Sequence, residues 1–319
     1  MSYAVGMLEP KDNRVLIDPE LQKSAKSFPF NRAVAAMGNL YLGAGWHFVK
    51  APEGVREEAI EIKGYQGLSF KTAVFSPAGT GTRPALLYVH GGAFAYKAAA
   101  YQKQLAFLYA EQAGCKVFFP HYHLAPKYRY PAAYDDVLSL WKHMTEHAEE
   151  LGIDPSRIGI AGDSAGASIA ALLCCRWEKE MIGMPCLQML AYPVTDADMN
   201  TESMKRYTDA PKWNSRNNER MWNYYCGEDR ELRRQASPMH AALPARIPPA
   251  YIETTEFDCL HDEGLLFAQK LKQAGADVKL NDTRGTFHGY DDVLEARVVR
   301  KNIERRTSFL RERFGACRP

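Results

Sequence analysis

The sequence has little excess charge and no long apolar run. Its 40 Lys and Arg residues nearly balance 38 Asp and Glu residues, so that the formal net charge is +2. Such a balance provides no overall field to attract nucleic acid or anionic lipid. The most apolar early stretch, residues 33–45, is well short of the roughly 20 residues that a membrane-spanning helix needs. We therefore expect neither a nucleic-acid partner nor a membrane partner.

The cysteines form no pattern typical of a zinc or redox site. There are seven of them in the 319 residues, and no two make a CxxC pair. An odd number of scattered cysteines is typical of reduced thiols. Residues 1–18 contain charges and prolines where a signal peptide needs a continuous apolar core. These absences predict a cytoplasmic protein.

What the sequence does contain is an alternation of strand-like and helix-like segments. Short apolar or β-branched runs predict strands at 59–63, 70–75, 85–89, 116–120, 157–161, 187–191, 250–254 and 278–281. Helices are predicted at 101–113, 132–151, 164–179, 263–274 and 292–314. This alternation is typical of an α/β fold with a mostly parallel sheet and helices on both faces.

Two regions fall outside the alternation: the N-terminal segment, residues 1–55, and the insert, residues 196–238. The chain length suits one α/β domain that carries such additions. We expect a single domain over residues 1–319, in which both regions form a cap over the carboxyl edge of the sheet. Residues 33–45 should form a helix that lies on the protein itself. The basic stretch 297–306 is predicted to be a solvated helix face.

A G-x-S-x-G sequence, Gly162-Asp163-Ser164-Ala165-Gly166, stands between a predicted strand and a predicted helix. In this setting the motif presents a serine nucleophile on a sharp turn at the head of the helix. Glycines are needed because the turn is strained and a side chain at either end would collide with neighbouring backbone. The pentapeptide alone is common by chance, but its flanking elements favour Ser164 as the nucleophile.

His90-Gly91-Gly92-Ala93 follows the predicted strand 85–89. This is where serine hydrolases with a strand-turn-helix nucleophile carry the backbone donors of an oxyanion hole. Two pairs of donors are compatible with the sequence, either Gly91 with Gly92 or Gly92 with Ala93, and we favour the two glycines. Ala165 should add a donor at the head of the helix.

A serine nucleophile needs a histidine base, which in this chain order follows an acidic residue. Of the nine histidines, only His240, His261 and His288 come after Ser164. His240 precedes the strand that should deliver the acid, and His261 begins a predicted helix. His288 lies in a glycine-bounded loop directly after the last strand, and we predict it to be the base.

The orienting acid is predicted at the end of strand 250–254. Asp258 ranks first because it closes this strand, and Asp262 ranks second in the same loop. Asp262 and Glu263 are more simply interpreted as N-terminal caps of the following helix.

Other polar residues are interpreted as structural. His121 and His123 would point to one face of a strand, but no third metal ligand is evident near them. Asp135 and Asp136 are expected to anchor a helix beside the site. Packing is also the expected role of the adjacent thiols of Cys174 and Cys175.

The insert is rich in aromatic residues, which the sequence assigns equally well to two roles. Their side chains could line an apolar pocket or could hold a cap helix on the body of the protein. The residues are Trp213, Trp222, Tyr224 and Tyr225.

Taken together, the motifs resemble those of the hormone-sensitive lipase family of esterases, particularly its bacterial acetyl-esterase-like members. The resemblance runs from about residue 84 to residue 288 and includes HGGAF, YHLAPKYRYPAAYDD, GDSAGA and EFDCLHDE. It implies an α/β-hydrolase fold with a helical cap and no metal or organic cofactor. It also implies a Ser164, Asp258 and His288 triad with an oxyanion hole at Gly91, Gly92 and Ala165. Ala93, His123, Cys259 and His261 depart from the usual family residues.

The expected function is hydrolysis of small carboxylic esters through an acyl-enzyme. The preference for short acyl groups, with acetyl first, follows from the resemblance alone. An amidase or arylformamidase could use the same triad, and a non-catalytic small-molecule receptor could be built on the same fold. The expected partner is a small-molecule ester, and the oligomeric state stays open, with a homodimer as one option.

Overall fold

An eight-stranded sheet runs through the computed structural model, which describes residues 16–316. In chain order the strands are β1 (Val55–Lys63), β2 (Ser69–Pro77), β3 (Arg83–Val89), β4 (Lys116–Pro120), β5 (Ile153–Asp163), β6 (Gln188–Ala191), β7 (Ala250–Phe257) and β8 (Val278–Phe287). Their spatial order is β1-β2-β4-β3-β5-β6-β7-β8. β2 is antiparallel to β1 and β4, and the other neighbouring pairs of strands are parallel. The mostly parallel sheet of an α/β-hydrolase fold is therefore confirmed.

The helices flank this sheet and also occupy the two regions outside the alternation. They are α1 (Arg32–Phe48), α2 (Ala100–Ala113), α3 (Ala132–Glu146), α4 (Ala165–Arg176), α5 (Glu202–Arg206), α6 (Ser215–Cys226), α7 (Arg230–Ala236), α8 (His261–Gln273) and α9 (Arg297–Ala316). Within residues 16–316, none of them combines the length and the apolar character that a bilayer crossing needs. Most of residues 1–18, which we predict not to be a signal peptide, lies outside the described residues, as does Cys317, for which we predict a reduced thiol.

Several predicted boundaries needed correction. The helix predicted to reach residue 151 ends at Glu146, and the helix predicted from residue 292 begins only at Arg297. Residues 290–292 instead form a separate single-turn 3₁₀ helix. The strand predicted to end at residue 281 continues to Phe287, which brings the regular backbone directly up to His288.

Helix α1 lies on the protein through a narrow strip, which includes the buried Ala35 and Trp46. The carboxyl end of α1 is held by Lys103 on α2, whose ammonium group donates to the Val49 carbonyl at 2.8 Å. The opposite face exposes large apolar side chains, including Leu40 and Tyr41, at 77% and 79% of their surface. The helix was predicted, but this exposed apolar face was not.

The N-terminal segment and the insert contact each other through the buried ring of Phe30. This ring lies 5.5 Å from the ring of Trp213 and 5.2 Å from that of Tyr224, both in the insert. The side chain of Asn217 completes the contact, since it accepts from the Phe30 N–H and donates to the Phe28 carbonyl. That the two regions act as a cap on a single domain stays a prediction.

The prediction that the basic stretch 297–306 is a solvated helix face is wrong at its last residue. Arg306 is 1% exposed and lies between Glu253 and Asp291, two carboxylates that are themselves fully buried. Its position on α9 falls on the helix stripe that also contains the buried Val299 and Ile303. The stripe faces the sheet, so a cation on it has to be paired inside the protein.

We expect Arg306→Met to lower the free energy of unfolding by about 3–5 kcal/mol, because it leaves two buried carboxylates without a cation. The measurement is urea unfolding followed by circular dichroism. Arg300→Met, an exposed position on the same helix, is the matched control and should cost less than about 0.5 kcal/mol. Equal effects of the two substitutions would contradict the structural role given to the buried ion pairs.

Candidate active site

Ser164 occupies the tight turn between β5 and α4. Its backbone has φ 52° and ψ −121°, a strained combination for a residue with a side chain. A Cβ at Gly166 would collide with the Val89 carbonyl oxygen, and one at Gly162 would collide with the backbone of Gly166. The absence of side chains at these two positions allows the helix to approach the strands closely enough to present the Ser164 hydroxyl.

The three residues predicted as a triad are in hydrogen-bonding contact. The Ser164 Oγ lies 2.8 Å from His288 Nε2, and His288 Nδ1 lies 2.7 Å from Asp258 Oδ2. The carboxylate orients the imidazole so that Nδ1 donates to it, which leaves Nε2 to accept the serine proton. All three side chains are buried. The arrangement can therefore activate a hydroxyl nucleophile.

The Asp258 carboxylate is itself fixed from two sides. Its Oδ2 also accepts from the Thr255 hydroxyl at 2.8 Å, and its Oδ1 accepts from the Leu260 N–H at 2.9 Å. These bonds orient the carboxylate toward His288, so that its position does not depend on the imidazole alone.

Asp262, the second choice for the acid, contacts a different histidine. Its Oδ1 lies 2.9 Å from Nδ1 of His261, and its other oxygen accepts from the Ser203 N–H in the insert. Glu263 is fully buried and accepts from the Thr195 N–H. The expectation that these two carboxylates cap their own helix is therefore wrong. They bind backbone at and near the start of the insert.

His240, the remaining histidine considered as a base, is also paired elsewhere. Its Nε2 lies 3.0 Å from an oxygen of Asp196 and 3.1 Å from an oxygen of Asp198. These three side chains are the set within residues 16–316 whose donor atoms are close enough together to share a metal ion. The three side chains contact one another, and the guanidinium of Arg234 lies beside Asp198.

The loop after β3 lies against the nucleophile turn through Asp163. The Gly91 N–H hydrogen-bonds to the Asp163 carboxylate, which also accepts from the Tyr88 hydroxyl at 3.0 Å and from the Gln102 amide at 2.8 Å. The Gly91 donor is thus directed at a carboxylate. The expected use of Gly91 in an oxyanion hole stays a prediction.

The next two amides in the same loop are differently placed. The N–H groups of Gly92 and Ala93 meet no acceptor among the described residues. The N–H of Ala165 is the first of α4 and has no carbonyl partner within its helix. The N–H groups of Gly92, Ala93 and Ala165 are therefore unpaired within the described residues.

Residues behind His288 were not anticipated from the sequence as part of the site. The ring of Tyr192 packs edge-on against the imidazole at 4.9 Å, and its hydroxyl donates to Asp291 at 2.9 Å. Asp291 in turn binds the buried Arg306. The sequence did carry a signal for Arg306, because its spacing from Val299 matches the apolar stripe of the helix. Nothing comparable marked Tyr192.

A cavity of about 680 Å³ opens above Ser164 and His288. Its walls are mainly apolar and aromatic and come from the N-terminal segment, the loop after β3 and the insert. They include Phe28, Phe30, Val34, Met37, Tyr41, Leu42, Tyr96 and Trp213. A pocket of this size and character suits a small apolar ligand with its polar reacting group at the serine.

The four aromatic residues of the insert divide between the two predicted roles. Trp213 lines the cavity, and its ring lies 6.1 Å from that of His288. Trp222 and Tyr225 are fully buried, and the Tyr225 ring stacks on Phe94 at 3.7 Å. Trp222 and Tyr225 therefore hold α6 on the body of the protein, whereas Tyr224 contacts Phe30 of the N-terminal segment.

His121 and His123 do not form a paired face on a strand, because β4 ends at Pro120. The His121 ring packs against Trp46 at 4.7 Å, whereas His123 Nδ1 lies 2.8 Å from Asp136. Asp136 also accepts from two backbone N–H groups, which confirms it as an anchor. The predicted packing role of Cys174 and Cys175 is confirmed by their burial.

Comparison with known proteins gives concordant matches. Residues 86–292 match the alpha/beta hydrolase fold family. Ethyl acetate hydrolase of Pseudomonas putida is 35% identical over 208 residues, 65% of each chain, so the match spans just under two thirds of that relative. Carboxylesterase NlhH of Mycobacterium tuberculosis is 34% identical over 295 residues, 89% of this chain and 92% of the relative. A solved bacterial heroin esterase has a TM-score of 0.86 at 31% identity, covering 94% of this chain and 98% of its own.

Asp163 generates a prediction for the pH dependence of stability. Burial raises its pKa from 3.8 to about 6, even though the Gln102 amide and the Gly91 N–H oppose the shift. A raised pKa means that the folded protein binds the proton more tightly than the unfolded chain does. The contribution of Asp163 to stability therefore falls as the pH rises from about 4 to about 6.

We expect Asp163→Asn to remove this pH dependence. The free energy of unfolding of the variant, relative to wild type, should rise by up to about 3 kcal/mol across that interval, which is the equivalent of the pKa shift. The measurement is urea unfolding of both proteins at half-unit steps of pH. Parallel curves for the two proteins would show that the buried carboxyl does not titrate in this way.

Proposed function

Since the chain belongs to the α/β-hydrolase family, in its hormone-sensitive-lipase-like branch of esterases, we propose that it is a serine carboxylesterase acting on small esters of short acyl groups, acetyl first. The observation that carries the proposal is the continuous hydrogen-bonded relay from Ser164 through His288 to Asp258 at the base of the cavity. A hydroxyl in such a relay is suited to attack an acyl carbonyl.

In the proposed reaction, Ser164 Oγ attacks the carbonyl carbon while His288 Nε2 takes the hydroxyl proton. The negative charge that develops on the carbonyl oxygen is stabilised by N–H donors, for which we propose Gly92, Ala93 and Ala165. Each such donor is worth roughly 3–4 kcal/mol in the transition state. The ester C–O bond then breaks, and the imidazolium gives its proton to the departing alcohol.

The second half of the proposed reaction regenerates the enzyme. A water molecule attacks the acyl-enzyme, and His288 accepts one of its protons. The bond between the acyl carbon and Ser164 Oγ breaks, the serine recovers its proton from the imidazolium, and the carboxylic acid is released. Asp258 keeps the imidazole in the productive tautomer and stabilises its cationic form in both halves.

Two observations support the substrate class. The apolar walls around Phe30 and Trp213 suit an uncharged alcohol portion, and one relative is named for ethyl acetate, an acetyl ester. An acetyl group needs only a small part of a cavity of about 680 Å³. We propose that the remaining space holds the alcohol portion of the ester.

The test is hydrolysis of p-nitrophenyl acetate, butyrate, octanoate and palmitate. We expect kcat/KM to be highest for the two shorter esters and to fall for octanoate and palmitate. Ser164→Ala should reduce kcat by about 10⁴-fold or more, because removal of the nucleophile disables the relay. Ser168→Ala, a buried serine four residues along on α4, is the matched control and should stay within about twofold of wild type.

The alternatives predict different results in the same assay. An amidase would turn over a p-nitroanilide at a rate that Ser164→Ala abolishes, whereas an esterase would hydrolyse only the matching p-nitrophenyl ester. A non-catalytic receptor would show no turnover, and a fluorophosphonate would not modify Ser164 in it. Full activity of Ser164→Ala would mean that the nucleophile is a different residue.

A further inference from the structure

The side chain of Lys212, in the insert, reaches the loop that carries His288. We call residues 288–292 the base loop. The Lys212 ammonium donates to the carbonyl oxygen of Gly289 at 2.8 Å and forms an ion pair with Asp292 at 2.6 Å. Gly289 is the residue directly after His288. Lys212 therefore binds both ends of the short segment that follows the imidazole.

The backbone of Lys212 binds the N-terminal segment as well. Its N–H donates to the Lys26 carbonyl at 3.1 Å, and the residue forms an isolated parallel bridge with Ser27. The Ser24 hydroxyl in the same segment contacts both oxygens of Asp292, at 2.7 and 2.9 Å. Three segments that are remote in sequence thus meet at one lysine.

The setting of Lys212 is more constrained than that of a surface ion pair. Its side chain is 22% exposed, and its ammonium lies 5.3 Å from the centre of the Phe287 ring. Burial lowers the pKa of Lys212, and Asp292 opposes this shift. The backbone at Lys212 has φ 58°, in the left-handed region, where a residue with a side chain persists only if its surroundings hold it.

We propose that Lys212 is a positioning residue, which holds the base loop so that His288 stays within hydrogen-bonding distance of Ser164. The position of His288 then depends on how the insert and the N-terminal segment pack against this loop. The inference rests on the proposed function, because it assigns His288 the role of base. Displacement of a reacting group by about 1 Å can cost roughly a hundredfold in rate.

A positioning role predicts a specific kinetic pattern. Lys212 also lines the cavity. If it acted only by contacting the substrate, its substitution would change KM. A residue that positions the base changes kcat, because the substrate still binds while proton transfer is less well aligned. The same loss should appear with a small fluorophosphonate, since its reaction with Ser164 also needs the base but fills little of the cavity.

The test compares Lys212→Met with wild type on p-nitrophenyl acetate and with a small alkyl fluorophosphonate. We expect kcat to fall roughly ten- to a hundredfold, with KM within about threefold of wild type. The second-order rate constant for phosphonylation of Ser164 should fall by a similar factor. Lys205→Met, which removes an exposed lysine paired only with Glu202 in the same insert, should leave both rates within about twofold.

A second variant covers the case in which Lys212→Met does not fold, which its melting transition would reveal. Asp292→Asn keeps the bond from Lys212 to the Gly289 carbonyl and removes only the ion pair, so we expect a smaller loss of kcat, about three- to tenfold. If the first variant folds, the double variant should be no slower than Lys212→Met alone, because the two residues act as one unit.

Each other outcome overturns the proposal. A higher KM with unchanged kcat would mean that Lys212 only contacts substrate, and a lower melting temperature with unchanged kcat would mean that it only stabilises the fold. Wild type distinguishes these failures from failure of the proposed function. If wild type neither hydrolyses the ester nor is modified at Ser164, the proposed function fails; if it does both, only the role of Lys212 is in question.

Discussion

The close approach of α4 to the end of β3 is the constraint on which the rest of the site depends. The approach exists only because Gly166 has no Cβ to meet the Val89 carbonyl oxygen and Gly162 has none to meet the turn itself. It forces Ser164 into a strained backbone conformation, for which the packed strands on either side compensate. The same contact places the Ala165 N–H beside the loop that carries Gly92. Ser164 and the unpaired amides are therefore positioned by the same packing contact.

His288 is held by a combination of forces. It follows the end of β8, and the segment after it is fixed by the fully buried ring of Tyr290 and by two charged contacts. On the sheet side, Asp291 pairs with the buried Arg306, and on the side of the insert, Asp292 pairs with Lys212. The Arg306–Asp291 pair is desolvated, and such pairs are poor sources of net stability compared with apolar packing, but they penalise any geometry in which a charge is left unpaired. Such a penalty suits a loop that must hold one orientation.

Much of the architecture could be predicted from the sequence because it depends on local patterns. Strand and helix periodicity identified the sheet and its covering helices, and the order of the serine, acid and histidine motifs selected Ser164, Asp258 and His288 out of many polar residues. The geometry brings these three together, as expected. The boundaries were less predictable, since the length of β8 depends on its pairing with β7 and not on its own residues.

What the sequence could not show are contacts between residues far apart in the chain. Asp262 and Glu263 have the composition of helix caps, but their partners belong to residues some 60 positions earlier. Whether a carboxylate caps its own helix or binds a distant amide depends on tertiary packing that no local pattern encodes. Arg306 was the exception, because its place on an apolar stripe was visible and its charge misled the interpretation.

The N-terminal segment and the insert serve two purposes at once in this arrangement. Their apolar side chains, from Phe30 to Trp213, form most of the cavity wall, while the polar contacts of Lys212 connect them to the base loop. A change in either segment that reshapes the cavity also acts on the position of His288, because Trp213 directly follows Lys212 in the chain. Substrate preference and turnover are therefore expected to change together, because adjacent residues of the insert affect both. Selection for a new substrate through the insert has to preserve the contacts of Lys212, or it will alter the rate along with the specificity.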